Sequence, residues 1–241
     1  MIMDEKVFKR IEKKYLIDKN QKAEILKILK KHMEEDHYFK SEVLNVYFDT
    51  DNFDLIIKSI DNPDFKEKLR ARSYGGYDKV FFEIKTKLKD GEYRVGNKRR
   101  FLITHEDYKS LVEGKKTAVE LAKLSVETDM DEQIAKEVDY MISYFKLKPQ
   151  ILVYYNRESY LGEGGLRITF DSDLSYRDDD ATFIRRASDK KYFKDEKNII
   201  MEIKAHEVMP LWLAQGLSKV KAYPARFSKI GKIYELIRKE K

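Results

Sequence analysis

Cysteine is absent from the 241 residues, which excludes disulfides and thiolate metal sites and fits a reducing compartment. No stretch approaches the ~20 apolar residues of a membrane-spanning helix. The start of the chain, MIMDEKVFKRIEKKY, lacks the apolar run of a secretory signal. There is no Pro/Gly/Ser linker, internal repeat or low-complexity segment, so the expectation is a single domain over residues 1–241, soluble and cytoplasmic. Glycine is sparse, and its densest run, Gly162-Glu163-Gly164-Gly165, is not a phosphate-binding P-loop. It lacks the Gly-Lys-Ser/Thr ending and leads into a strand rather than a helix. Serine, threonine and the 4 histidines form no nucleophilic constellation.

Charge, by contrast, is abundant. Charged residues make up 38% of the chain, against ~25% in an ordinary globular protein. The 49 lysines and arginines exceed the 43 acids by 6, an excess that favours an anionic partner without naming one.

The stretch Phe65–Lys87, FKEKLRARSYGGYDKVFFEIKTK, reads as two strands joined at Tyr74-Gly75-Gly76-Tyr77. Alternation puts Lys68, Arg70 and Arg72 on one face and Leu69 and Ala71 on the other, with Val80, Phe82 and Ile84 on that apolar side. A tight turn predicts Lys68 opposite Glu83 and Arg70 opposite Phe81. Further strands are expected at Val7–Ile17, Val43–Thr50, Tyr93–Ile103, Gln150–Leu161, Leu166–Asp171 and Asn198–Glu207. Helices are expected over Lys19–Glu34, opened by an Asp18/Gln21 capping box, in two or three pieces between His105 and Lys148, and at Pro210–Leu217 and Ser228–Arg238. Ser172–Lys197 reads as a strand fragment and a mobile loop.

The charged face recurs in Arg10/Glu12/Lys14, Arg70/Arg72, Glu83/Lys85/Lys87, Arg167/Asp171 and Glu202/Lys204, extended by Arg157 and Lys98/Arg100. A sheet with one solvated face satisfies this pattern, and so does a closed sheet with a charged lumen surrounded by helices. Two features favour the lumen. Arginine, whose planar fork suits phosphate, dominates several faces. Glutamate also precedes lysine by two positions in Glu83-Ile84-Lys85 and Glu202-Ile203-Lys204, which sets a metal ligand beside a phosphate clamp. A nucleic-acid platform is disfavoured, because the basic residues alternate with apolar ones inside strands rather than sharing a surface with exposed aromatics.

In order along the chain, FKRIEKKYLI, NVYFDT, LRARSY, FFEIKTK, KRR, YYNRESY, LRITFD, IIMEIKA and FSKIGK resemble the polyphosphate polymerase domain of the vacuolar transporter chaperone (VTC) family, among the triphosphate tunnel metalloenzymes. The resemblance implies an α+β fold, an antiparallel β-barrel tunnel of about eight strands with flanking helices. It implies phosphoryl transfer, most simply polyphosphate synthesis from the γ-phosphate of ATP. A triphosphatase acting on inorganic triphosphate or a nucleotide is the alternative, and a non-catalytic polyphosphate-binding module a third reading. By resemblance the catalytic set is Arg70, Arg72, Lys85, Arg157, Arg167 and Lys229. Lys14, Arg10, Lys68, Lys87, Arg100, Lys204 and Ser228 would bind further phosphates. Glu202, with Glu83 or Glu12, would hold Mn²⁺ or Mg²⁺. Many superfamily members begin Glu-x-Glu-x-Lys; here the first position is Arg10, a departure that weakens two-metal chemistry. With no inositol-phosphate-sensing domain or membrane segment in the sequence, coupled synthesis and translocation are not expected, though a membrane-bound partner is compatible.

Overall fold

The computed structural model describes residues 10–61, 63–90, 93–125, 129–180, 182–192, 198–206 and 208–240. In chain order the elements are β1 (Arg10–Ile17), α1 (Lys19–Leu29), β2 (Met33–Asp49), α2 (Asp54–Ile60), β3 (Phe65–Tyr74), β4 (Val80–Asp90) and β5 (Tyr93–Ile103). Then come α3 (His105–Val112), α4 (Ala118–Ser125), α5 (Asp129–Phe145), β6 (Lys148–Gly162), β7 (Arg167–Arg177), β8 (Lys190–Lys191), β9 (Ile199–His206), α6 (Leu211–Lys219) and α7 (Lys229–Glu240). The strands follow the hydrogen-bonded order β1-β9-β7-β6-β2-β3-β4-β5, with β8 beside β7. This is the expected α+β architecture of about eight antiparallel strands with flanking helices. The order is open, with β1 and β5 at its ends among the described residues.

The chain divides into two compact units, one of residues up to 42, 155–174 and 191–227, the other of residues 43–154, 175–190 and 228–241. In the second unit, alternation sends Leu69, Ala71, Phe82, Ile84, Phe101 and Ile103 to one side of β3, β4 and β5, where all are buried. They join Tyr108, Leu111, Leu121, Val138 and Met141 of α3, α4 and α5 in one cluster. Burying each large apolar side chain contributes about 1.5–3 kcal/mol. Asp139 of α5 caps α4, accepting the Ala118 and Val119 amides at 2.7 and 2.9 Å.

In the first unit, Tyr15, Ile17, Ile168, Phe170, Met201 and Ile203 cluster with Ile25 and Leu29 of α1 and Leu213 and Leu217 of α6. The Asp18/Gln21 capping box opens α1 as expected. At Gly216 a Cβ would lie 2.7 Å from Ile28 Cδ1, so glycine sets how closely α6 approaches α1.

Three expectations are corrected. Helix α1 ends at Leu29 instead of Glu34, because from Met33 the chain is extended within the 17-residue β2. The hairpin register is shifted by two residues: Arg70 faces Glu83, Lys68 faces Lys85, and Arg72 faces Phe81. The cause is the connection, which runs from Tyr74 to Lys79 rather than closing tightly on the glycines. Only Gly76 of that pair takes a positive φ, and Ser73 Oγ donates to the Lys79 carbonyl at 3.2 Å. Third, the strand fragment expected after Ser172 is the continuation of β7 to Arg177, but the stretch after it is held in place rather than loose: the buried Arg177 guanidinium grips Asp189 at 2.9 Å and donates to the carbonyls of Asp180, Thr182 and Ile184. The expected strand residues Val7–Lys9 and Glu207 lie outside the described residues, as do 193–197 of the expected loop.

Candidate functional site

On the polar side of β2 to β5 the register sets side chains in cross-strand rows. One row is Asn45, Arg72, Phe81 and Leu102; the next is Tyr47, Arg70, Glu83 and Arg100; a third is Lys68, Lys85 and Lys98. Glu83 is 1% exposed at their centre. Its Oε2 accepts from Arg70 Nε at 2.6 Å and lies 2.5 Å from Arg70 Nη2. Arg72 Nε stands 4.0 Å from the same oxygen and donates to Asn45 Oδ1 at 2.8 Å. Oε1 makes no hydrogen bond, with Lys98 Nζ 3.5 Å away. Burial pushes the Glu83 carboxyl up, but Arg70, Arg72, Lys98 and Lys85 outweigh it and hold it at about 2. Burial draws the Lys98 ammonium down, with Glu83 opposing. Arg100 lies over the Phe81 ring, 4.6 Å from its centroid. Lys85 and Lys87 are exposed and Lys68 is half-buried. Ser228 and Lys229 belong to this unit but sit at the start of α7, where Ser228 Oγ accepts the Gly231 amide at 3.3 Å.

The first unit carries its own polar rows. Lys14, Glu202 and Thr169 form one; Glu12, Lys204 and Arg167 form the next. Each row sets one acid beside a base. Glu202 Oε1 is 2.7 Å from Lys204 Nζ, and Glu12 Oε1 is 3.5 Å from Lys14 Nζ. Lys14 also donates to the Phe227 carbonyl at 3.2 Å. Arg157 grips the fully buried Asp171 with two parallel bonds, Nε to Oδ1 at 2.6 Å and Nη2 to Oδ2 at 2.8 Å. Burial works against the Arg157 charge, yet Tyr155, Asp171 and Glu202 outweigh it and raise its pKa further. Arg167 Nη2 donates to Asp36 at 2.7 Å, while its buried Nε and the buried Thr169 Oγ1 make no hydrogen bond. Arg10 opens β1 opposite His206, and its side chain lies outside the described residues.

The expected residues therefore gather on two strand faces, with Ser228 and Lys229 on a helix. Sequence reading passed over Asn45 and Asp36, and it did not single out Lys98 or Asp171 as site residues. Alternation in NVYFDT already placed Asn45 opposite the apolar side. Asp36 was hidden because its segment, between the helix expected to Glu34 and the strand expected from Val43, was given no element, whereas it belongs to β2.

A sequence model of the VTC domain matches residues 9–237. The chain belongs to the VTC-domain family. Vacuolar transporter chaperone complex subunit 4 of Schizosaccharomyces pombe is 27% identical over 188 residues, 70% of this VTC domain and 26% of that protein. The Trypanosoma brucei brucei subunit 4 is 26% identical over 154 residues, 56% of this chain and 19% of its own. The chain thus spans about a quarter or less of these curated relatives. Among solved structures, HpAC1 of Hippeastrum, described as revealing a dominant triphosphatase activity, superposes with a TM-score of 0.56 at 15% identity over 97% of both chains. At that identity the likeness is one of fold.

The donor chemistry of this VTC domain admits a hard divalent cation on one face and resists it on the other. Glu202, Glu12 and the unpartnered Thr169 hydroxyl are oxygen donors of the kind Mn²⁺ and Mg²⁺ take. Among the described residues no three His, Asp or Glu side chains group into a metal cage. Glu83, ringed by four cations, does not fit a metal.

Proposed function

We propose that this VTC domain transfers phosphoryl groups, building polyphosphate from the γ-phosphate of ATP. The observation that carries the reading is the pair Arg70 and Arg72, fixed by Glu83 and Asn45 so that two guanidinium forks share one strand face. Solvated surface arginines have no need of such anchoring, whereas phosphate oxygens are matched by it. In the reaction a terminal oxygen of the acceptor chain attacks the γ-phosphorus, the bond to the β–γ bridging oxygen breaks, and ADP leaves. Such a transfer asks the protein for positioning and charge neutralisation rather than a nucleophile. Arg70, Arg72, Lys85, Arg157, Arg167 and Lys229 hold the reacting phosphates. Lys14, Arg10, Lys68, Lys87, Arg100, Lys204 and Ser228 hold neighbouring ones. Glu202 and Glu12 would hold Mn²⁺ or Mg²⁺, which when bound offsets phosphate charge.

With water as acceptor the same groups would make a triphosphatase, the activity described for HpAC1. The reading includes a single domain over 1–241, a cytoplasmic placement and room for a membrane-bound partner. Among the described residues no helix is long and apolar enough to cross a membrane.

Incubating the pure protein with ATP and Mn²⁺ and resolving products on a gel tests the proposal. Chains longer than three phosphates support the polymerase. Phosphate release without chains favours the triphosphatase, and metal-dependent polyphosphate binding without turnover favours a binding module. Glu202→Gln is expected to lower turnover about 100-fold or more. Undiminished polyphosphate formation in that variant would overturn the assignment.

A further inference from the structure

The Glu83 carboxylate carries a consequence beyond the phosphate reading, on which it rests. In sequence, Glu83-Ile84-Lys85 and Glu202-Ile203-Lys204 look alike, each a carboxylate two residues before a lysine. In the fold their surroundings diverge. Glu202 lies in a row with Lys14 and the unpartnered Thr169 hydroxyl. Glu83 is 1% exposed, and both nitrogens on one edge of Arg70 converge on its Oε2. Arg72 approaches the same oxygen at 4.0 Å while Asn45 holds its Nε, and Lys98 stands 3.5 Å from Oε1.

A divalent ion on Oε1 would need to come within about 2.1 Å of that oxygen, inside a ring of cations already drawn to it. Without the carboxylate, Arg70, Arg72, Lys85 and Lys98 would repel one another across three adjacent strands. With it, the cluster keeps an excess of positive charge and a fixed geometry. A residue that orients two arginines and balances part of their charge has a role even though it touches no substrate.

We propose that Glu83 is a positioning residue that holds Arg70, Arg72 and Lys98 for phosphate and takes no metal, leaving the metal role to the acidic side chains of β1 and β9.

The experiment reads two equilibria without turnover. Binding of inorganic tripolyphosphate is measured by calorimetry in EDTA, and Mn²⁺ uptake in the absence of phosphate by the electron paramagnetic resonance of free Mn²⁺. For Glu83→Gln, tripolyphosphate affinity is expected to fall about tenfold, with partial recovery in Glu83→Asp, which keeps the charge on a shorter arm. Mn²⁺ uptake should stay within about twofold of the parent in both, whereas Glu202→Gln should lose it. Glu83→Asp carries the same test if the glutamine variant does not fold by circular dichroism. Loss of Mn²⁺ uptake in the Glu83 variants overturns the proposal, as does unchanged tripolyphosphate affinity. A parent protein that binds no tripolyphosphate at all sinks the phosphate reading itself, which separates that failure from this one.

Discussion

The two charged strand faces solve one problem in different ways. On β3, β4 and β5 the cations crowd around a single buried carboxylate, Glu83, so that one acid orders three bases. On β1, β9 and β7, with Arg157 of β6 and Asp36 of β2, the charges form pairs: Lys204 with Glu202, Lys14 with Glu12, Arg157 with Asp171 and Arg167 with Asp36. The first arrangement concentrates positive charge and suits an anion. The second leaves each carboxylate beside a cation, the pairing that the proposed metal and phosphate roles call for. Similar sequence motifs thus take different roles according to how many cations the fold places around each acid.

Variants that break individual pairs sharpen this contrast. The largest effect is expected at Asp171. Replacing it by alanine strands the mostly buried Arg157 guanidinium, and stability should fall by about 3 kcal/mol in urea unfolding. A loss under 1 kcal/mol would show that the pair-by-pair face is not held by buried charge.

Acid comes next. Glu83 titrates at about 2 in the folded protein, below its ordinary 4.5. Its contribution is therefore complete above pH 4.5 and is lost as pH falls from there towards 2. The whole contribution is on the order of 3 kcal/mol, of which about 2 kcal/mol is lost between pH 5 and 3, read as a shift of the urea midpoint that Glu83→Gln should lack. An identical acid limb in that variant would remove Glu83 from the organising role.

The smallest effect is expected at Arg167, whose side chain is 41% exposed in its pair with Asp36. Arg167→Ala should cost less than about 1 kcal/mol of stability and yet weaken tripolyphosphate binding. Equal binding by parent and variant would separate this arginine from the phosphate-holding set.

Much of the fold was legible because burial writes a period of two into strands. Leu69 and Ala71 of β3, Val80, Phe82 and Ile84 of β4, Ile168 and Phe170 of β7, and Met201 and Ile203 of β9 alternate in sequence and are buried in the structure. The Asp18/Gln21 capping box located α1 for the same local reason. The N-terminal half of β2 was illegible because its residues 34–42 are mostly polar, and their two aromatics, Tyr38 and Phe39, are adjacent and so mark no alternation. The hairpin register also escaped, since it depends on a connection that hydrogen bonds of Ser73 shape, not on glycine alone.

Alternation, charge and the order of short motifs were enough to fix the family, the strand count and which side chains share a face. They are local properties, set by backbone geometry and by the need to bury apolar surface. Which acid meets which base was decided only by tertiary structure. A shift of two residues leaves every side chain on its own face while exchanging every partner, and it is the partners that set Glu83, ringed by four cations, apart from Glu202 of the same local sequence.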